Sequence, residues 1–71
     1  MAVTLYTQPD CRYCDLARRQ LEERGETFVE VDVTRAPQHT RDAVARLSGG
    51  ELVVPVLVEA DGEARVGFGG V

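Results

Sequence analysis

The chain has 71 residues and a formal charge of −4, with twelve acidic side chains against eight basic ones, one His and two Cys. A chain of this length buries about 60% of the surface that its unfolded form exposes, so residues 1–71 are expected to form one domain with one small core, and any chemistry has to sit near its surface. All eight basic residues are Arg and they form no basic run, which argues against nucleic acid or an anionic membrane face as partner.

Residues 2–7 alternate Val3 and Leu5 with Thr4 and Tyr6, the pattern of a strand. Gln8-Pro9-Asp10 breaks it, since Pro9 cannot continue a ladder, and Asp10 is read as the N-cap of a helix. From Cys11 to about Arg24 the residues favour helix, with Cys14, Ala17 and Leu21 on one face and Gly25 as the stop. Residues 27–33 set Val29, Val31 and Val33 against Phe28, Glu30 and Asp32, a second strand with one partly wet face. Thr34 as N-cap and Pro37 in the first turn open a helix running to Ser48, its apolar face made of Ala43, Val44 and Leu47. After Gly49-Gly50, residues 52–58 are an apolar run without alternation, which predicts a strand buried on both faces. Asp61-Gly62 is a hairpin signal joining it to a short strand over residues 63–66.

The order strand, helix, strand, helix, hairpin predicts an α/β sandwich. The first two strands are parallel through a right-handed crossover, and the hairpin adds two antiparallel ones. After Gly67-Phe68-Gly69-Gly70-Val71 no room is left for a final helix. With no candidate membrane span and no signal-peptide pattern at residues 1–4, the expected location is the cytoplasm.

Disulfides do not persist in a reducing cytosol, and bridging residues three apart hardly constrains an unfolded chain. Cys11 and Cys14 therefore have little value as a staple. At the handover from strand to helix, unpaired backbone N–H groups and the positive end of the helix dipole face Cys11, with Arg12 as a neighbouring cation, and this favours its thiolate. Cys14, almost a turn deeper and facing the core, stays a thiol until it attacks a mixed disulfide at Cys11. A structural zinc site is disfavoured, because it needs four ligands and the chain adds only one His and carboxylates. Cys-x-x-Cys beside a strand-helix-strand pattern is a specific redox signal, against which the inert pair is the weaker reading. Pro55, inside an apolar strand, needs a reason. It is either a trans proline that opens the strand or a cis Val54–Pro55 bond that turns the Val54 backbone outward as an edge for an extended peptide.

Tyr6-Thr7-Gln8-Pro9-Asp10-Cys11-Arg12-Tyr13-Cys14, then Val54-Pro55, then Gly67-Phe68-Gly69-Gly70 resemble, in order and spacing, the glutaredoxins and the related NrdH-type redoxins. The resemblance implies a thioredoxin-like fold: a four-stranded mixed sheet of order 2-1-3-4 with two helices, the family's C-terminal helix being absent here. It implies a dithiol–disulfide oxidoreductase in which Cys11 attacks and Cys14 resolves. It further implies a cis Pro55 that forms a docking edge with Val54, and an aromatic Tyr13 shielding the sulfurs. Arg12 replaces the usual Pro and adds a charge, and the glycines 67 and 69 approach the ligand backbone or form a loose end.

The implied substrates are protein disulfides or glutathione mixed disulfides. No cofactor is built in, and the donor is glutathione or thioredoxin reductase. Gln8 and Val53 stand where many glutaredoxins carry a basic residue and a Thr for glutathione, and both donors stay open. The alternative reading is a glutathione-assisted iron–sulfur protein built from two chains, and a third is an interaction module without activity. Absence of the last helix is expected to uncover apolar strand surface beside the first helix, so that the chain pairs with something, itself included, or has low stability. The further alternative is a sequence cut short of that helix. His39 is read as solvent-facing, Tyr6 as core, and Arg35 and Arg65 as surface residues.

Overall fold

A computed structural model describes residues 3–67 of the chain. The elements are β1 (Val3–Thr7), α1 (Arg12–Glu23), β2 (Phe28–Asp32), α2 (Gln38–Leu47), β3 (Val56–Val58) and β4 (Ala64–Val66). They build one sheet of order β2-β1-β3-β4, with β1 and β2 parallel and the β1–β3 and β3–β4 pairs antiparallel, as the sequence predicts.

Alternation along the strands divides the core in two. On one face Val3, Leu5 and Leu57 pack with Ala17 and Leu21 of α1. On the other, Val56 packs with Val33 and with Val44 of α2, and Tyr6, Val54 and Val58 lie against them half-buried. The Asp61-Gly62 turn closes the hairpin, with Gly62 at φ +94 and its N–H donating to the Glu59 carbonyl at 2.9 Å. Gly25 ends α1 at φ +70, a conformation that costs glycine little.

Five local expectations are corrected. The N-cap of α1 is Cys11, not Asp10. Asp10 lies in the left-handed region at φ +58 and makes the turn into the helix, so its backbone lacks the extended geometry of a cap. The N-cap of α2 is Pro37, not Thr34. The Thr34 N–H and hydroxyl both donate to Asp32, at 2.9 and 2.6 Å, which commits Thr34 to a turn before the helix starts.

The residues of α2 that are not exposed are Thr40, Arg41, Val44 and Ala45; Ala43 is exposed and Leu47 is 45% exposed. Polar residues at two of those four positions hide them from a hydrophobicity count. The predicted strand over residues 52–58 is paired only from Val56, with Leu52 and Val53 exposed, since Pro55 has no N–H to give a ladder. On β2 it is Phe28 that packs against the α1-side core, while Val29 is 53% exposed. β2 is an edge strand, and Val29 lies beyond the buried Val33–Val44–Val56 cluster.

The apolar surface expected beside α1 is likewise not found among the described residues. Val3, Leu5 and Leu57 are all buried on that face. The exposed Val29 and Val66 share a face with Thr4 and Val56, on the α2 side of the two edge strands.

Candidate active site

The parallel pair β1–β2 ends at Thr7 and Asp32, β3 starts at Val56 and β4 finishes at Val66, so these four termini lie at one end of the sheet. The loops that leave this end carry Cys11, Val54-Pro55 and Gly67. Run on from the Tyr6–Val56 pair, the antiparallel register carries Pro55 and Val54 toward Thr7 and Gln8, the segment that leads to Cys11. The Val54–Pro55 peptide bond is cis. The Gly67 N–H donates to the Pro55 carbonyl at 2.8 Å, which ties β4's end to the same place. Gly69 lies outside the described residues.

Cys11 is partly exposed and Cys14 is fully buried. As the N-cap, the Cys11 Sγ accepts the Cys14 backbone N–H at 3.2 Å, so it takes up one of the donors that a helix start leaves unpaired. Burial first, then the neighbouring Cys11 side chain, pushes the Cys14 thiol up to about 12, against the opposing pull of the Gln8 backbone N–H and the Arg18 guanidinium. A backbone donor thus meets the accessible sulfur while its partner keeps its proton under cover. Arg12 and Tyr13 are exposed on the first turn, Tyr13 by 60%. Val54 is half-buried and Pro55 buried.

Sequence reasoning missed the polar cluster beneath this pair. Arg18, one turn after Cys14, donates through Nε and a terminal nitrogen to the two oxygens of Glu30, both at 2.6 Å, and through its other nitrogen to Asp15 at 2.8 Å. The Thr7 hydroxyl, on a residue only 2% exposed, donates to Glu30 at 2.9 Å. The Arg18 fork and the Thr7 hydroxyl hold the Glu30 carboxyl below the usual carboxylate range. The i, i+3 spacing of Asp15 and Arg18 is visible in the sequence, but the arrival of Glu30 needs the β1–β2 register. Among the described residues no group of three or more His, Cys, Asp or Glu is placed to hold a metal ion, and no helix is long and apolar enough to cross a membrane.

A Cys-x-x-Cys pair capping the first helix of a β-α-β unit, beside a cis proline, defines the thiol–disulfide oxidoreductases of thioredoxin-like fold. Residues 3–64 match the glutaredoxin family, to which the chain belongs. It is 34% identical over 61 residues to the glutaredoxin-like protein NrdH of Escherichia coli K12, covering 86% of this chain and 72% of that protein. It is 30% identical over 55 residues to glutaredoxin 1 of Rickettsia felis, covering 78% and 54%. Among solved structures, the NrdH-redoxin of Escherichia coli, described as having a thioredoxin-like activity profile, superposes with a TM-score of 0.75 at 34% identity, over 96% of this chain and 84% of that one. A thioredoxin-like protein superposes at 0.77 with 29% identity, over 93% and 86%.

Proposed function

We propose that this oxidoreductase reduces protein disulfides through Cys11 as nucleophile and Cys14 as resolving thiol, and that a thioredoxin reductase restores the dithiol in the cytoplasm. The Cys11 sulfur attacks a substrate disulfide, one substrate thiolate leaves, and a mixed disulfide remains. Cys14 then attacks Cys11, the second substrate thiolate leaves, and the internal disulfide carries the two electrons' worth of oxidation. The observation that carries this reading is the asymmetry of the pair, a partly exposed Cys11 whose sulfur accepts the Cys14 backbone N–H, over a Cys14 that is buried. Val54 and Pro55 supply the edge against which the substrate strand lies, with Arg12, Tyr13 and Gly67 around it. Support for the donor comes from the activity profile named for the Escherichia coli NrdH-redoxin and from Gln8 and Val53, which offer glutathione no cation and no hydroxyl.

Cys11→Ser is expected to abolish exchange with every disulfide, and Cys14→Ser to retain only reactions that pass through a glutathione mixed disulfide. Equal losses in a monothiol assay contradict these roles. Turnover with glutathione and glutathione reductase, in the absence of thioredoxin reductase, makes glutathione the donor.

A further inference from the structure

The three residues Thr7, Glu30 and Arg18 come from three different elements and are joined by hydrogen bonds. Arg18 lies one helical turn beyond Cys14 on α1, the spacing at which two side chains are neighbours on one helix face. Glu30, on β2, receives both arms of the Arg18 fork and so pins α1 to the sheet. Thr7 hangs on the same carboxylate, at the end of β1 from which the chain runs through Gln8 into the loop that carries Cys11. A bidentate fork fixes direction as well as distance, which a single contact does not.

From this geometry we propose that Arg18, Glu30 and Thr7 are positioning residues for the resolving step. They hold the turn of α1 that carries Cys14 against the end of the sheet, so that its sulfur meets a mixed disulfide at Cys11 in line. The inference rests on the roles given above to Cys11 and Cys14. In the step concerned, Cys14 gives its proton to solvent, its sulfur bonds to the Cys11 sulfur, and the bond from Cys11 to the substrate breaks. The substrate leaves as a thiolate, so Cys11 and Cys14 together are oxidised by two electrons and the substrate disulfide is reduced by two.

Dithiobis-nitrobenzoate reads the two steps separately, because the first nitrobenzoate thiolate is released by attack of Cys11 and the second by attack of Cys14. In stopped flow with the full chain, Arg18→Met is expected to slow the second release by about ten-fold and the first by less than about two-fold, with Arg18→Lys recovering part of the loss. Thr7→Val, nearly the same shape and buried, is expected to slow the second release by about three-fold, and decides the matter if Arg18→Met does not fold. The proposal is overturned if the second release is unchanged in both variants, if both releases slow together, or if Arg18→Lys recovers nothing. A wild-type chain that makes no second release at all refutes the assigned roles of the cysteines instead.

Discussion

The two faces of the sheet are built from the same strands, yet they are held by different means. On the α1 side, Ala17 and Leu21 seal against Val3, Leu5 and Leu57, and the Arg18–Glu30–Thr7 cluster adds a polar clamp at the end where the cysteines sit. On the α2 side only Val44 of the helix is fully buried; Leu47 of the helix and Val29 and Val66 of the edge strands remain exposed. The face that carries the chemistry is thus fixed by both burial and directional bonds. The other is held, among the described residues, by the smaller buried cluster of Val33, Val44 and Val56, so the two faces of a small domain need not be sealed equally.

This contrast breaks most readily in the two cores. Leu21→Ala removes a wholly buried side chain from the α1 side and is expected to cost about 3 kcal/mol in denaturant unfolding, against about 2 kcal/mol for Val44→Ala. An equal or larger loss at Val44 means that α2 is anchored as firmly as α1.

The clamp sharpens the comparison through pH. Its ion pair is one-third exposed on each side, so Glu30→Gln is expected to cost about 1 kcal/mol or less near neutral pH. The folded-state pKa of Glu30 lies below the ordinary value of 4.5, so this stabilisation is present above about that pH and disappears as the pH falls through the lowered value. Stability curves of the wild type and Glu30→Gln should therefore converge in acid, and a gap that stays constant from neutral pH to pH values well below 4.5 excludes the charge as its origin.

The smallest effect is expected at the rim of the α2 side. Val29→Thr keeps the β-branched shape on an exposed edge position and should shift stability by less than about 0.5 kcal/mol. A loss of a full kilocalorie shows that something covers this edge in solution.

Much of the fold was legible because it depends on short-range pattern. Val3 and Leu5 alternate over one strand, Cys14, Ala17 and Leu21 recur at helical spacing, and Asp61-Gly62 marks a turn. α2 was found but started too early and turned wrongly, with Pro37 rather than Thr34 as its N-cap and with Thr40 and Arg41 at positions that a hydrophobic count leaves to solvent. Cys11 and Cys14 were legible as a candidate redox pair from residue type and spacing, whereas the cis bond before Pro55 followed from the family resemblance, since the residues alone left a trans proline open. The N-caps were missed because Asp10 and Thr34 have capping side chains but backbone or hydrogen bonds committed to turns.

By itself the sequence determined the order of elements, the mixed sheet and the pair of thiols at the start of the first helix, since each arises from local periodicity and from which residues break it. Only the tertiary structure decided what surrounds the second thiol. Glu30 meets Arg18 and Thr7 through the register of two parallel strands separated by a helix, and no residue spacing along the chain encodes a contact between side chains 12 and 23 positions apart.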